Sequence, residues 1–241
     1  MNYPQRVFNW FLDFIFPIRC IGCSKIQDQY LCSKCLNSIK LKSNFECIGC
    51  KRPFPKGMTC YLCVKTYHVD QLLIAADFED KLVEKSIKLM KYNFIFDLAA
   101  PLSLLVNRYL KHLAKEKSIN IFESNPILIP VPLHKRRFNW RGFNQAELLA
   151  KNIAGNFLMS IFNDVIYKTK IIKPQAITED REERMQNVIG AFECRGHDRI
   201  DGKDIILIDD VCTTGATLNE CARVLKENGA RKVIALVVAR G

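Results

Sequence analysis

The chain has 241 residues, 49% hydrophobic and 25% charged, enough for one α/β domain of about 170 residues and a small additional module. This balance excludes a disordered or fibrous chain. The formal net charge of +11 favours anionic partners, either phosphorylated small molecules or nucleic acid.

The chain opens on an aromatic stretch, VFNWFLDFIF at 7–16. It is too short and too interrupted to span a bilayer, and no small-residue cleavage site follows it. We read it as a short helix over 1–18 packed on the protein's own core, with no transmembrane segment. The eleven cysteines are an odd number at spacings unlike a secreted disulfide framework, so a reducing compartment and a cytoplasmic location are expected.

Eight of those cysteines fall between residues 20 and 63, and none between 64 and 193. They form four Cys-x-x-Cys pairs, Cys20/Cys23, Cys32/Cys35, Cys47/Cys50 and Cys60/Cys63. CIGC at 20–23 returns at 47–50, which marks an internal duplication. Each pair can aim two thiolates at one ion, and two pairs complete a tetrahedral structural site, so two Zn2+ ions are expected. The simplest assignment is sequential, Cys20, Cys23, Cys32 and Cys35 for one site and Cys47, Cys50, Cys60 and Cys63 for the other; an interleaved one also satisfies the spacing, and four thiolates at this spacing also suit iron. The ions would replace a core that a module of about 45 residues cannot build. Two Zn(Cys)4 sites of about −2 each would lower the net charge to about +7. Lys25, Lys34, Lys40, Lys42, Lys51, Arg52 and Lys56 add a weaker case for nucleic-acid contact by this module. We set the boundaries at 1–18 for the aromatic helix, 19–66 for the Cys-rich module and 67–241 for the larger domain.

Beyond the boundary, residues 72–78 read as a strand, and two helical patterns follow. The second carries Leu98, Leu102, Leu105, Tyr109 and Leu113 on one face. Residues 127–131 read as a buried strand leading through a basic loop into a helix opened by Asn144, with Glu147 three residues on. A second apolar strand at 204–209, a helix at 218–228 stopped by Gly229, and a β-branched run at 232–239 complete the pattern. Strand, helix, strand in this order predicts an α/β fold with a parallel sheet.

The segment IILIDDVCTTGAT at 205–217 is the most informative. A buried strand delivers Asp209 and Asp210 to its carboxyl end, where open α/β sheets bind ligands. A loop of Val211, Thr213, Thr214, Gly215, Ala216 and Thr217 then opens a helix whose amides can enclose a phosphate, while the acids accept ribose hydroxyls. The missing Gly-Lys excludes a P-loop. Cys212 sits near a helix N-terminus, where a thiol pKa can fall, but we read it as filler. These residues resemble the phosphoribosyl pyrophosphate signature of the phosphoribosyltransferases.

The basic loop His134, Lys135, Arg136 and Arg137, with Arg141 close behind, ends another strand at the same expected edge. It could hold a pyrophosphate, with Mg2+ bridging to the ribose. Residues 168–192, including Gln175, Arg184 and Asn187, read as a hood that closes over the bound donor and excludes water.

Taken with PVPLH at 130–134 and RGFNQ at 141–145, these motifs resemble the ComF competence-protein family over nearly the full chain. The resemblance implies a type I phosphoribosyltransferase fold with an N-terminal double zinc ribbon, and a role in natural transformation and DNA uptake. It leaves two classes open. One is an Mg-dependent glycosyltransferase with Asp209 and Asp210 at the reacting ribose. The other is a non-catalytic module of the uptake machinery that senses the donor or contacts single-stranded DNA and a competence helicase. Read as sequence, the chain shows no aromatic array of the kind that stacks bases.

Overall fold

The computed structural model describes residues 17–170 and 186–241. Three nine- or seven-residue strands are apolar almost throughout: β1 (Gln71–Asp77), β5 (Asp204–Cys212) and β6 (Lys232–Arg240). Continuous runs of this kind need cover on both faces, as parallel sheets have. With β2 (Ile127–Pro130) they form a four-stranded parallel sheet in the order β1-β6-β5-β2. This is the predicted α/β fold with a parallel sheet, and β5, the acid-bearing strand, sits between two neighbours. A separate antiparallel pair is made by β3 (Ile166–Lys168) and β4 (Phe192–Cys194).

Because successive strand residues face opposite ways, the sheet sorts its side chains into two apolar layers. Leu73, Ile206, Ile208, Ile234 and Leu236 meet one set of helices. These are α2 (Lys81–Tyr92), α3 (Ala99–Glu116) and α5 (Gln145–Phe157). Leu98, Leu102, Leu105, Tyr109 and Leu113, the stripe read from sequence, are all buried there. Leu72, Ile74, Ile205, Leu207 and Val237 meet α6 (Ala216–Glu227) through Leu218, Cys221, Ala222 and Leu225.

The Cys-rich region keeps its duplication in three dimensions. One antiparallel bridge closes each knuckle, Arg19 with Ile26 and Glu46 with Pro53. Ser24 and Lys51 take positive φ at matching positions. A short helix, α1 (Ser33–Ser38), follows in the first unit. The two units then dock differently. Cys20, Leu31, Leu36 and Ile39 join the α2/α3 layer, whereas Ile48 joins the α6 layer.

Local signals explain the helix starts. Asp80 accepts from the amides of Leu82 and Val83, and Asn144 accepts from Ala146, each satisfying a donor that a helix start leaves open. The basic segment expected as a loop is helical instead: α4 spans Lys135–Arg141. His134 caps it through Nδ1, which accepts from the Arg136 amide at 3.1 Å, and Gly142 ends it at φ +80°. No helix among the described residues is long and apolar enough to cross a membrane. The expected aromatic helix lies, but for its last two residues, outside the described part of the chain.

Candidate functional site

At the carboxyl ends of β2 and β5 a cleft of about 400 Å³ opens, lined by Asp209, Asp210, Val211, Thr213 and Thr217 from β5 and the turn after it. Pro132 and Leu133 follow β2, Arg137 and Arg141 come from α4, and Lys91 and Tyr92 from the end of α2. The fold therefore brings the acid pair, two of the threonines and two of the five basic-segment residues to one place. Arg137 and Arg141 share a helix face at i, i+4. The other three basic residues lie elsewhere: His134 is the cap, Arg136 is exposed on the same helix, and Lys135 lines a neighbouring groove with Phe138 and Tyr167. Of the hood residues, Gln175 and Arg184 lie outside the described chain. Asn187 is exposed in a turn that closes on α6, where the Gly190 amide donates to Glu220 at 2.7 Å.

Charge is arranged around the acids. The Lys91 ammonium pairs with Asp210 at 2.8 Å, and the Asp210 carboxylate is almost wholly buried. Burial opposes the charge on Lys91, but Asp210 and Asp209 outweigh it and hold that ammonium above the ordinary lysine range. Asp209 accepts from the Asp210 amide at 2.8 Å. Burial, and then the adjacent Asp210 carboxylate, push Asp209 up to about 7. Lys168, at the end of β3, is lowered by burial and by Arg137.

The turn after β5 is shaped by two residues. The Thr214 hydroxyl accepts from the Ala216 amide at 3.3 Å. Gly215 takes φ +82°, and a Cβ there would lie 2.8 Å from Ile48 Cγ1, so only glycine fits. Cys212 is buried, and burial raises its thiol to about 11. That is the opposite of an activated nucleophile.

Some residues of the cleft were hidden in the sequence. Lys91 lies on the outer side of an amphipathic helix, where lysines are ordinarily solvated, and only its approach to Asp210 at the end of β5 gives it meaning. Gln145 is buried with its Nε2 donor lacking a partner among the described residues, as does Arg141 Nε. Both residues line the cleft, and unsatisfied buried donors at a cleft wall suit an anionic or hydroxyl-bearing ligand.

The cysteines form two clusters in sequential order, Cys20, Cys23, Cys32 and Cys35, then Cys47, Cys50, Cys60 and Cys63. The ligand atoms of each cluster lie within 4.8 Å of one another. Cys50 and Cys60 sulfurs are 3.7 Å apart and Cys23 and Cys32 sulfurs 3.9 Å. Zn–S bonds of about 2.3 Å place tetrahedral sulfurs about 3.8 Å apart, so the donor sets fit zinc. The Cys32 and Cys60 amides donate to Cys20 and Cys47 sulfurs, support that thiolates need.

Known families match both parts. The double zinc ribbon domain matches residues 11–64 and the phosphoribosyl transferase domain residues 141–241. Competence protein F of Haemophilus influenzae is 27% identical over 232 residues, 93% of this chain and 98% of that protein. Competence protein ComFC of Bacillus subtilis is 27% identical over 211 residues, 84% and 80% of the two chains. DNA utilization protein YhgH of Escherichia coli K12 is 27% identical over 205 residues, 84% and 87%.

Proposed function

Since this chain belongs to the ComF family of competence proteins, joining a double zinc ribbon to a phosphoribosyl transferase domain, we propose that it binds phosphoribosyl pyrophosphate in a competence role. One observation carries this reading. Adjacent carboxylates, a threonine turn at a helix start, and Arg137, Arg141 and Lys91 converge on a single cleft. A ribose 5-phosphate with pyrophosphate at C1 has complementary parts: a phosphate for Thr213 and Thr217, hydroxyls for Asp209 and Asp210, and a leaving group for the guanidinium groups.

In this reading Asp209 and Asp210 stabilise charge developing at the ribose, while Arg137 and Arg141 hold the departing pyrophosphate. The acid pair would hold Mg2+, which when bound supplies neutralisation of the pyrophosphate charge. Lys91 pairs with Asp210 at 2.8 Å and would share that carboxylate with the metal. The functional division proposed is 19–66 for the ribbons and 67–241 for the donor-binding domain, in a cytoplasmic protein. Single-stranded DNA and a helicase are the partners the competence role suggests.

The test is calorimetric titration with phosphoribosyl pyrophosphate and Mg2+. Replacing both acids, Asp209→Asn with Asp210→Asn, is expected to weaken binding at least tenfold, and unchanged affinity would refute the site. Pyrophosphate release across a panel of nucleobases and amines then separates the classes. Turnover with one acceptor indicates a transferase; donor binding with none indicates a sensor.

A further inference from the structure

Six aromatic residues are exposed in the described chain, and five of them come from two short segments. Tyr92, Phe94 and Phe96 follow the end of α2, and Phe138 and Trp140 lie on α4. Their segments are some forty residues apart in sequence, yet the fold joins them. Phe94 and Trp140 meet edge to face with centroids 5.0 Å apart, and Phe96 meets Phe143 in the same manner at 6.2 Å. The Arg141 guanidinium lies 5.8 Å from the Trp140 ring. No such array was legible along the sequence, because neither segment is aromatic-rich enough alone.

Exposed rings clustered in this way mark a binding surface. Cations decide for which partner. Arg136 precedes Trp140 by four residues and so shares its face of α4, a seven-residue helix that carries no acid. Aromatic faces alternating with guanidinium groups are what a single strand needs, bases stacking on the rings and phosphates meeting the charges. A small planar ligand would be largely enclosed by its site, whereas Tyr92 and Trp140 are 63% and 60% exposed. We propose that this rim is a stacking site for single-stranded nucleic acid, centred on Phe94 and Trp140, with the exposed Arg136 on its backbone phosphates. The proposal extends the competence reading and stands apart from donor binding, to which Phe94 does not contribute.

Trp10 and Trp140 are the chain's two tryptophans, so Trp10→Phe leaves Trp140 as the sole tryptophan, read selectively by excitation at the red edge where tyrosine does not absorb. In that background, oligo(dT) of about 16 nucleotides, within single-strand site sizes, is compared with an abasic strand of equal length. Binding with Trp140 quenching by oligo(dT), and at least fivefold weaker binding of the abasic strand, are expected. Phe94→Ala should weaken oligo(dT) binding roughly 5- to 100-fold, as loss of one stacking contact does, and Phe94→Tyr should restore it. Equal binding of both strands, or quenching by a mononucleotide or anionic vesicles without strand binding, would overturn the proposal. Phosphoribosyl pyrophosphate titrated against the same variants separates the two readings. Phe94→Ala should bind it as the parent does, and a parent that binds strand but no donor would refute the donor site alone.

Discussion

Ile48, the second residue of the second CIGC knuckle, lies directly on Gly215 in the turn between β5 and α6, leaving no room for a methyl group between them. The dock is reinforced by Arg240 at the end of β6. Its guanidinium donates to the Cys47 and Ile48 carbonyls at 3.2 and 2.8 Å and pairs with Glu46 at 2.9 Å. A cysteine knuckle thus supports the back of the turn whose front faces the cleft.

Ile48→Ala removes a fully buried side chain and should cost about 2–4 kcal/mol, read as a lower thermal midpoint. The same variant should bind phosphoribosyl pyrophosphate several-fold more weakly, although Ile48 lies outside the cleft. Parental affinity in calorimetric titration would show that the turn keeps its shape without the knuckle.

Metal analysis by mass spectrometry should find two zinc ions per chain, and one after either Cys23→Ser or Cys50→Ser. The two variants should differ in function. Cys50→Ser, in the knuckle beneath Gly215, should weaken donor binding more than Cys23→Ser.

Asp209 gives a pH signature. Its value of about 7 in the folded chain lies above the ordinary carboxylate value of 3.8. Between these values the folded state keeps a proton that the unfolded chain has released, so this group's contribution to stability falls as pH rises from about 4 to about 7. Asp209→Asn should therefore raise the thermal midpoint at pH 8, by about 2–4 °C for each kcal/mol relieved, and leave it unchanged at about pH 3, below the unfolded value. Donor affinity should rise from pH 6 to 8 in the parent, as the carboxylate ionises, and stay low and flat in the variant.

Lys91→Met leaves the Asp210 carboxylate buried without its cation and should cost about 3 kcal/mol. Adding Asp210→Asn should recover part of that loss. A double-mutant cycle by denaturant unfolding measures the coupling, and additive effects would mean that the pair is energetically independent.

The acid pair and its threonine turn were legible because strand, carboxylates and hydroxyls are contiguous in 205–217, where local sequence alone dictates the geometry. The knuckle duplication was legible for the same reason, and the sequential pairing of its cysteines, the simplest assignment, is the one the sulfurs adopt, although spacing alone also permits an interleaved one. Lys91 was hidden because its role comes from a strand end more than a hundred residues away. The basic segment was misread as a loop because His134 supplies a ring nitrogen where a serine or aspartate cap is the familiar signal. The Phe94–Trp140 contact exists only once the fold brings the segment after α2 against α4.

The duplicated knuckles do not serve the same wall of the cleft. The first abuts α2, where a Cβ on Gly22 would lie 3.0 Å from Leu82 and Lys85 donates to the Ile21 carbonyl at 2.8 Å; this helix delivers Lys91. The second abuts the turn after β5. Repeating one Cys-x-x-Cys unit thus gives a pair of jaws, one behind the cationic wall and one behind the threonines, so that the spacing between the two walls of the cleft is set from outside the sheet that carries them.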